Sequence, residues 1–249
     1  DFEHGRLDVS HHPFCGGVPS DVRMTTRYVT GEFLSSLMGI IHETGHGLYE
    51  QGLPAEWSHW AVGSARGMAI HESQSLFMEK QVGRSAEFWE WAMPLVRQHL
   101  GEDSIAGWDL DDVLAHVHEI QAGLIRVDAD EATYPLHVIL RYEIEQGLID
   151  GSIAPKDVPD IWNAKMSEYL GLSTRDNYKD GPMQDVHWPG GAFGYFPSYT
   201  LGAMIAAQLW AALEKDHPSA RDDMRKGQFV AINDWRREKI WKQASRWST

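Results

Sequence analysis

Two histidines stand four residues apart in the segment His42-Glu43-Thr44-Gly45-His46, which has the pattern HExxH. Four residues along an α-helix bring both imidazoles to one face, where they can hold a single Zn²⁺ ion. Glu43 then lies beside the metal. From there it can take a proton from a water that the metal acidifies and deliver it to a leaving amine. The pattern therefore predicts a hydrolytic zinc site on a helix.

Chance is the competing explanation for this pattern. With 13 His in 249 residues, an HExxH has odds of roughly one in twenty on composition alone. Helical context lowers those odds further. Gly45 and Gly47 also argue against a purely structural helix, because each glycine costs about 1 kcal/mol in a helix interior and needs a reason such as close approach of a neighbour or substrate.

A catalytic zinc needs a third protein ligand and an open position. The longer pattern HExxHxxGxxH is excluded, because Tyr49 and Gly52 occupy its Gly and His positions. Glu72 is the better candidate, since it lies on the next predicted helix between the apolar flanks GMAI and SLFM. A solvated helix carboxylate is the alternative. A buried carboxylate needs a partner, and a metal is a good one.

The elements that must position these residues are mainly helices. Residues 1 to 30 predict one or two small strands, including VRMTTRYVT. Pro135 is expected to break or bend the helical pattern around it. The irregular segment GPMQDVHWPGGAFGYFPSY predicts a functional or mobile loop. Helices are predicted over EFLSSLMGIIHETGHGLYEQG, ARGMAIHESQSLFMEKQVG, AEFWEWAMPLVRQHLG, LDDVLAHVHEIQ, APKDVPDIWNAKMSEYLG and LGAMIAAQLWAALEKDHP.

Composition limits the class of protein. A formal charge of −14 argues against a nucleic-acid binder, which needs a basic face. No apolar run has the length of a membrane span, so no membrane partner is expected. The single cysteine, Cys15, excludes an intramolecular disulfide and fits the cytoplasm. No linker divides the chain, and residues 1–249 are expected to form a single catalytic domain.

Six motifs in order resemble the carboxypeptidase Taq family of zinc carboxypeptidases, peptidase family M32. The family signatures are HPF, DxRxT, HExxH, HES/GQ, IRxxAD and GxxQDxHW, and a stretch beginning at Gly194, GYFPSYTLGAM, is also similar. The matching segments are His12-Pro13-Phe14, Asp21-Val22-Arg23-Met24-Thr25, His42 to His46, His71-Glu72-Ser73-Gln74, Ile125-Arg126-Val127-Asp128-Ala129-Asp130 and Gly181-Pro182-Met183-Gln184-Asp185-Val186-His187-Trp188.

The resemblance implies a mainly α, zincin-like metallopeptidase with a small β-sheet beside an active-site groove. It implies a broad-specificity carboxypeptidase that binds peptides with a free C-terminus, uses zinc or cobalt and forms a homodimer. Family members are about twice as long, so their N-terminal helical half and last C-terminal helices are expected to be absent here. His42, His46 and Glu72 would hold the metal, and Glu43 would be the general base.

A carboxypeptidase must recognise a free carboxylate, and Arg does so with a planar, two-pronged fork. Arg126 is the first choice because its neighbours are apolar and acidic, and Arg23 is the second. Internal salt bridges are the alternative for both. Arg23 would then pair with Asp21, and Arg126 with Asp130.

The tetrahedral intermediate of peptide hydrolysis carries negative charge on an oxygen and needs preorganised donors. His187 and Tyr195, both in the irregular aromatic segment, could supply them. A histidine packed beside Trp188 and a core aromatic are the respective alternatives. No role is expected for the remaining histidines, including His11, His59, His116, His118 and His137.

Metal-bound histidines usually donate their second nitrogen to a nearby carboxylate or carbonyl. Asp185 or Asp130 is the expected partner, and His71 is expected to lie close behind the ligands. Two other functions stay open. One is an endopeptidase or dipeptidyl carboxypeptidase with the same zinc site, and the other is a catalytically incomplete helical scaffold.

Overall fold

The computed structural model describes residues 1–248, apart from the side chain of Ser104, and is mainly helical with one small sheet. This confirms the predicted fold class. The chain forms two compact units. Asp1–Val117 and the chain from Leu201 onward form the first unit, and His118–Thr200 form the second.

Three short strands form the sheet near the start of the chain. They are β1 (Gly5–Val9), β2 (Phe14–Val18) and β3 (Asp21–Thr26). The central strand β3 pairs in parallel with β1 and antiparallel with β2. Strand β3 covers only part of the predicted VRMTTRYVT segment. The segment HPF leads into β2, and DxRxT lies on β3.

The HExxH segment lies in the long helix α1 (Phe33–Gln51), as predicted. This helix packs against β3. A Cβ atom on Gly47 would lie 3.2 Å from Met24 Sδ, so helix and strand approach closely at this glycine. The sheet thereby supports the helix that carries the two histidines.

The next helix, α2 (Gly67–Leu76), carries Glu72 and continues into a π-helical turn, Phe77–Val82. The other helices with residues in the first unit are α3 (Ala86–Leu100), α4 (Leu110–Val117), α7 (Pro197–Asp216), α8 (Ala220–Arg225) and α9 (Val230–Lys239). Helix α4 ends before the predicted boundary. The main core of this unit includes the fully buried Phe77, Trp89, Val113, Leu213 and Met224.

The second unit is built on α5 (Tyr134–Asp150) and α6 (Val158–Leu170). Its core contains Leu140, Ile144, Val158, Trp162 and Met166. The prediction that Pro135 interrupts a helix is wrong. Pro135 is the second residue of α5, where a proline lacks no intrahelical hydrogen bond and its fixed φ suits the first turn.

Among the described residues, no helix combines the length and apolar character needed to cross a bilayer.

Candidate metal centre

The structure brings His42, His46 and Glu72 together into one cluster. Both histidine Nε2 atoms lie 3.7 Å from Glu72 Oε2. The Glu72 side chain is 4% exposed, whereas His42 is 24% exposed on its side chain and gives the cluster a side open to solvent. Helix α1 supplies the histidines one turn apart, and α2 supplies the carboxylate.

These three side chains fit a divalent metal. A tetrahedral zinc with bonds near 2.1 Å separates its ligand atoms by about 3.4 Å, close to the separations found here. Two imidazoles and one carboxylate with an open fourth position are a known donor set of catalytic zinc. Burial, His42 and His71 lower the pKa of His46 well below its ordinary value, which favours the neutral, metal-binding imidazole.

Glu43 follows the first histidine on α1 and is 6% exposed. Burial raises the pKa of its carboxyl to about 7, with the nearby charges of Glu72 and Glu79 acting in the same direction and His42 opposing them. A carboxyl group whose pKa lies near neutrality can both take and give a proton under physiological conditions. This environment suits the predicted general base.

Glu79, which no sequence motif singles out, orients His42. Glu79 Oε2 lies 2.8 Å from His42 Nδ1, and Glu79 also pairs with Lys80 and Arg84. Burial lowers the pKa of His42, but the Glu79 hydrogen bond and charge outweigh it and raise that pKa to about 9. Metal binding at His42 must therefore displace a proton near neutral pH.

The expectation that His71 lies close behind the ligands is confirmed, since its Nδ1 atom is 2.6 Å from His46 Nδ1.

Asp185, an expected imidazole partner, binds other groups instead. It forms a buried ion pair with Arg141 and accepts the backbone N–H groups of His187 and Trp188. A buried carboxylate needs a partner of opposite charge, and Arg141 supplies it.

Asp130 is also engaged elsewhere. Its two oxygens accept the backbone N–H groups of Gln121, Ala132 and Thr133 and the Thr133 hydroxyl. It thereby organises the turn before α5. The predicted role of Asp130 as an imidazole partner is wrong, because its oxygens are already occupied by this turn.

Arg126 does not form the alternative salt bridge with Asp130. Its Nη1 donates to the Tyr134 hydroxyl at 3.2 Å, and its guanidinium carbon lies 4.7 Å from the centre of the Phe196 ring. Arg23 does form its alternative pair, with Asp21, at 2.8 Å on the exposed face of β3. Substrate binding by either arginine stays a prediction.

His187 and Tyr195 lie in the irregular segment of the second unit. Their rings stack with centroids 5.7 Å apart and planes inclined by 22°. His187 also contacts Phe196 edge-on. His187 is thus packed against aromatic rings, which agrees in part with the alternative of a packed loop histidine. The predicted role of both residues toward an oxyanion stays a prediction.

Paired histidines on one helix, a glutamate from the next helix and a buried glutamate beside them are the arrangement typical of helical metallopeptidases of the HExxH class. A family model, that of the carboxypeptidase Taq (M32) metallopeptidases, matches residues 1–249. The chain belongs to this family.

Named relatives agree with this family. The chain is 45% identical over 249 residues to thermostable carboxypeptidase 1 of Thermus thermophilus, covering 99% of this chain and 48% of that protein. It is 42% identical over 241 residues to carboxypeptidase 1 of Bacillus subtilis, covering 96% of this chain and 48% of the relative. The chain therefore spans about half the length of the curated relatives it matches.

A solved structure of Trypanosoma cruzi metallocarboxypeptidase 1 superimposes with a TM-score of 0.95 at 48% identity, covering 100% of this chain and 52% of that one. The crystal structure of an M32 carboxypeptidase from Deinococcus radiodurans R1 gives a TM-score of 0.94 at 38% identity, covering 100% of this chain and 50% of the other. The backbone thus follows the fold of M32 carboxypeptidases throughout the matched region.

Proposed function

We propose that this chain carries the catalytic centre of a zinc-dependent carboxypeptidase that releases the C-terminal residue of peptides with broad side-chain specificity. The cluster of His42, His46 and Glu72, in a chain of the M32 family, is the observation that carries the proposal. Cobalt is the alternative metal, because imidazole and carboxylate ligands also accept it.

His42, His46 and Glu72 would hold the divalent metal, which would supply Lewis acidity toward a water and the scissile carbonyl. Glu43 accepts a proton from that water as the water oxygen bonds to the carbonyl carbon. The carbon–nitrogen bond then breaks as Glu43 passes the proton to the departing nitrogen. The products are a shortened peptide with a new carboxylate and a free amino acid.

Three further residues have proposed roles in substrate binding and catalysis. Arg126 binds the free carboxylate of the peptide, and His187 and Tyr195 donate hydrogen bonds to the oxyanion. Support for the role of Arg126 comes from its neighbours, which are a hydroxyl and aromatic rings rather than Asp130.

The homodimer implied by the family resemblance is proposed as well. Light scattering on the purified protein measures its oligomeric state.

The test of this function combines metal analysis with an activity assay. Elemental analysis gives the metal content of the purified chain, and release of the terminal residue from an N-terminally blocked peptide gives the activity. Glu43→Gln keeps the size of the side chain and removes its basicity. Glu56→Gln, at an exposed position after α1, is the matched control.

One zinc per chain, activity in the wild type and in Glu56→Gln, and a loss of about 100-fold or more in Glu43→Gln are the expected results. Turnover by Glu43→Gln at the wild-type rate would remove the general base from the proposal. A chain that neither binds metal nor turns over after zinc or cobalt is added would instead support the helical scaffold.

A further inference from the structure

Behind the metal ligand His46 lies a chain of two further polar side chains. His46 Nδ1 is 2.6 Å from His71 Nδ1, and His71 Nε2 is 2.8 Å from Glu50 Oε1. The side chains of His46, His71 and Glu50 are 10%, 15% and 27% exposed. The chain of contacts therefore runs from the buried ligand toward solvent.

Ligation determines where each proton in this chain lies, and this step rests on the proposed function because it takes His46 Nε2 as a metal ligand. A neutral imidazole that binds metal through Nε2 carries its hydrogen on Nδ1. His46 Nδ1 must then donate to His71 Nδ1. His71 consequently carries its own hydrogen on Nε2, where Glu50 accepts it.

The alternative proton arrangement is unfavourable at these distances. If His71 carried its hydrogen on Nδ1, two N–H groups would face each other across 2.6 Å. Turning the His71 ring over would place a carbon where Nδ1 now accepts. The Tyr49 ring packs edge-on against His71 with centroids 5.1 Å apart, but such a contact does not distinguish a ring nitrogen from a carbon. The hydrogen bond to Glu50 does.

We propose that Glu50 is a positioning residue for the metal centre. Its carboxylate selects the ring orientation and tautomer of His71, and His71 in turn holds the His46 ring with Nε2 directed toward Glu72. The two histidine ligands are therefore oriented differently. His42 contacts the carboxylate of Glu79 directly. His46 instead contacts His71, which contacts the partly exposed carboxylate of Glu50, and we call this His46–His71–Glu50 chain the relay.

Zinc affinity of the full chain tests this role without reference to turnover. The metal is removed with a chelator and returned in competition with a chromophoric chelator. Glu50→Ala is expected to weaken zinc binding roughly tenfold or more, the usual effect of losing a residue that orients a ligand. Glu50→Gln keeps an acceptor oxygen and should recover most of that loss, and the exposed control Glu56→Ala should bind as the wild type does.

A double-mutant cycle separates the relay from a general structural effect. His71→Phe keeps a ring against His46 but removes the acceptor. If Glu50 acts through His71, adding Glu50→Ala to His71→Phe should weaken zinc binding no further. Additive losses, or unchanged affinity in Glu50→Ala, would overturn the proposal. Failure of the wild-type chain to bind zinc would instead count against the proposed function.

Nitrogen NMR of the zinc-loaded wild type checks the same inference without any substitution. With histidine labelled by ¹⁵N, the expected result is a hydrogen on Nδ1 of His46 and on Nε2 of His71. A hydrogen on Nδ1 of His71 would contradict the relay even if Glu50→Ala proved unable to fold.

Discussion

Gly45 of helix α1 lies directly against the carbonyl oxygen of Gln74 in helix α2. A Cβ atom on Gly45 would be 2.3 Å from that oxygen and 2.5 Å from Ser75 Cα, both of them backbone atoms. A Cβ atom on Gly202 of α7 would lie 2.6 Å from Glu72 Cβ, also in α2. These two contacts allow α2 to pack closely against α1 and α7. The close packing sets the separation between Glu72 and the histidine pair.

Gly45→Ala is expected to damage the metal centre, because backbone atoms cannot move aside as a flexible side chain could. The helices must separate. We expect zinc affinity to fall and the free energy of unfolding to drop by about 1–3 kcal/mol, the usual range for overpacking. Chelator competition and denaturant unfolding measure the two quantities.

Gly39→Ala on the same helix is the matched control. A Cβ atom there meets only the Pro13 side chain, at an ordinary 3.6 Å from Cγ. Alanine favours a helix over glycine by about 1 kcal/mol, so this variant should be as stable as the wild type or more stable. If the two variants had the same zinc affinity and the same free energy of unfolding, a Cβ atom at position 45 would not be pushing α1 and α2 apart.

Local sequence was enough to predict the three residues that cluster as candidate metal ligands. The spacing of His42 and His46 sets their common face through helix geometry alone, and the apolar flanks of Glu72 indicate a buried carboxylate. The close approach expected at Gly45 is confirmed. These inferences required little knowledge of how the helices cross.

The groups that orient the ligands depend on tertiary structure and were not predictable in the same way. Glu79 stands seven residues after Glu72, a spacing that keeps one helix face. However, the chain between them passes into the π-helical turn Phe77–Val82, which the sequence does not reveal. Glu50 reaches His46 only through His71 on another helix.

The partner of Asp185 also depends on tertiary structure. Asp185 is one of the two imidazole partners expected from the sequence. Its actual partner, Arg141, lies 44 positions away along the chain, on α5, and no local pattern indicates that pairing. The segment around His187 is therefore anchored by a buried ion pair.

Asp185→Asn is expected to destabilise the protein by about 3 kcal/mol, the low end of the range for breaking a buried ion pair. The low end applies because Arg141 keeps its second carboxylate, Glu145. Denaturant unfolding measures the change. Asp176→Asn, an identical substitution at an exposed residue with φ of 59° that asparagine tolerates, should change stability by less than about 0.5 kcal/mol. Equal effects would show that the buried pair with Arg141 contributes nothing specific.

Asp130 should make stability depend on acidity. Burial raises the pKa of this carboxyl, but hydrogen bonds from Thr133, Gln121 and Ala132 outweigh that effect and hold the pKa below its ordinary value. A lowered pKa in the folded state stabilises the fold above the unfolded pKa of about 4. The contribution is lost as pH falls through the folded value.

Asp130→Asn is accordingly expected to lower the free energy of unfolding at pH 7 by about 1 kcal/mol, the net worth of a typical hydrogen bond. The difference from the wild type should shrink steadily below about pH 4. Thermal unfolding at a series of pH values measures it. A difference that stays constant from pH 7 to pH 3 would mean that the ionised carboxylate of Asp130 contributes nothing.

Arg126 provides the test that distinguishes an exopeptidase from an endopeptidase. Its guanidinium contacts Tyr134 and the Phe196 ring, whereas Arg23, the second candidate, is paired with Asp21 on an exposed strand. Arg126→Gln removes a charged donor. If that donor binds the peptide carboxylate, KM for free-acid peptides should rise about tenfold to a hundredfold, since a hydrogen bond between charged groups contributes about 1.5–3 kcal/mol.

The same peptides with an amidated C-terminus are the decisive comparison. Their KM should be unaffected by Arg126→Gln, because an amide offers no charge for the guanidinium to bind. Arg23→Gln should alter neither series appreciably, since an exposed ion pair such as that with Asp21 contributes about 0–1 kcal/mol. If Arg126→Gln raised KM equally for both kinds of peptide, Arg126 would be supporting the fold of its own segment. The endopeptidase interpretation of the metal centre would then become the stronger one.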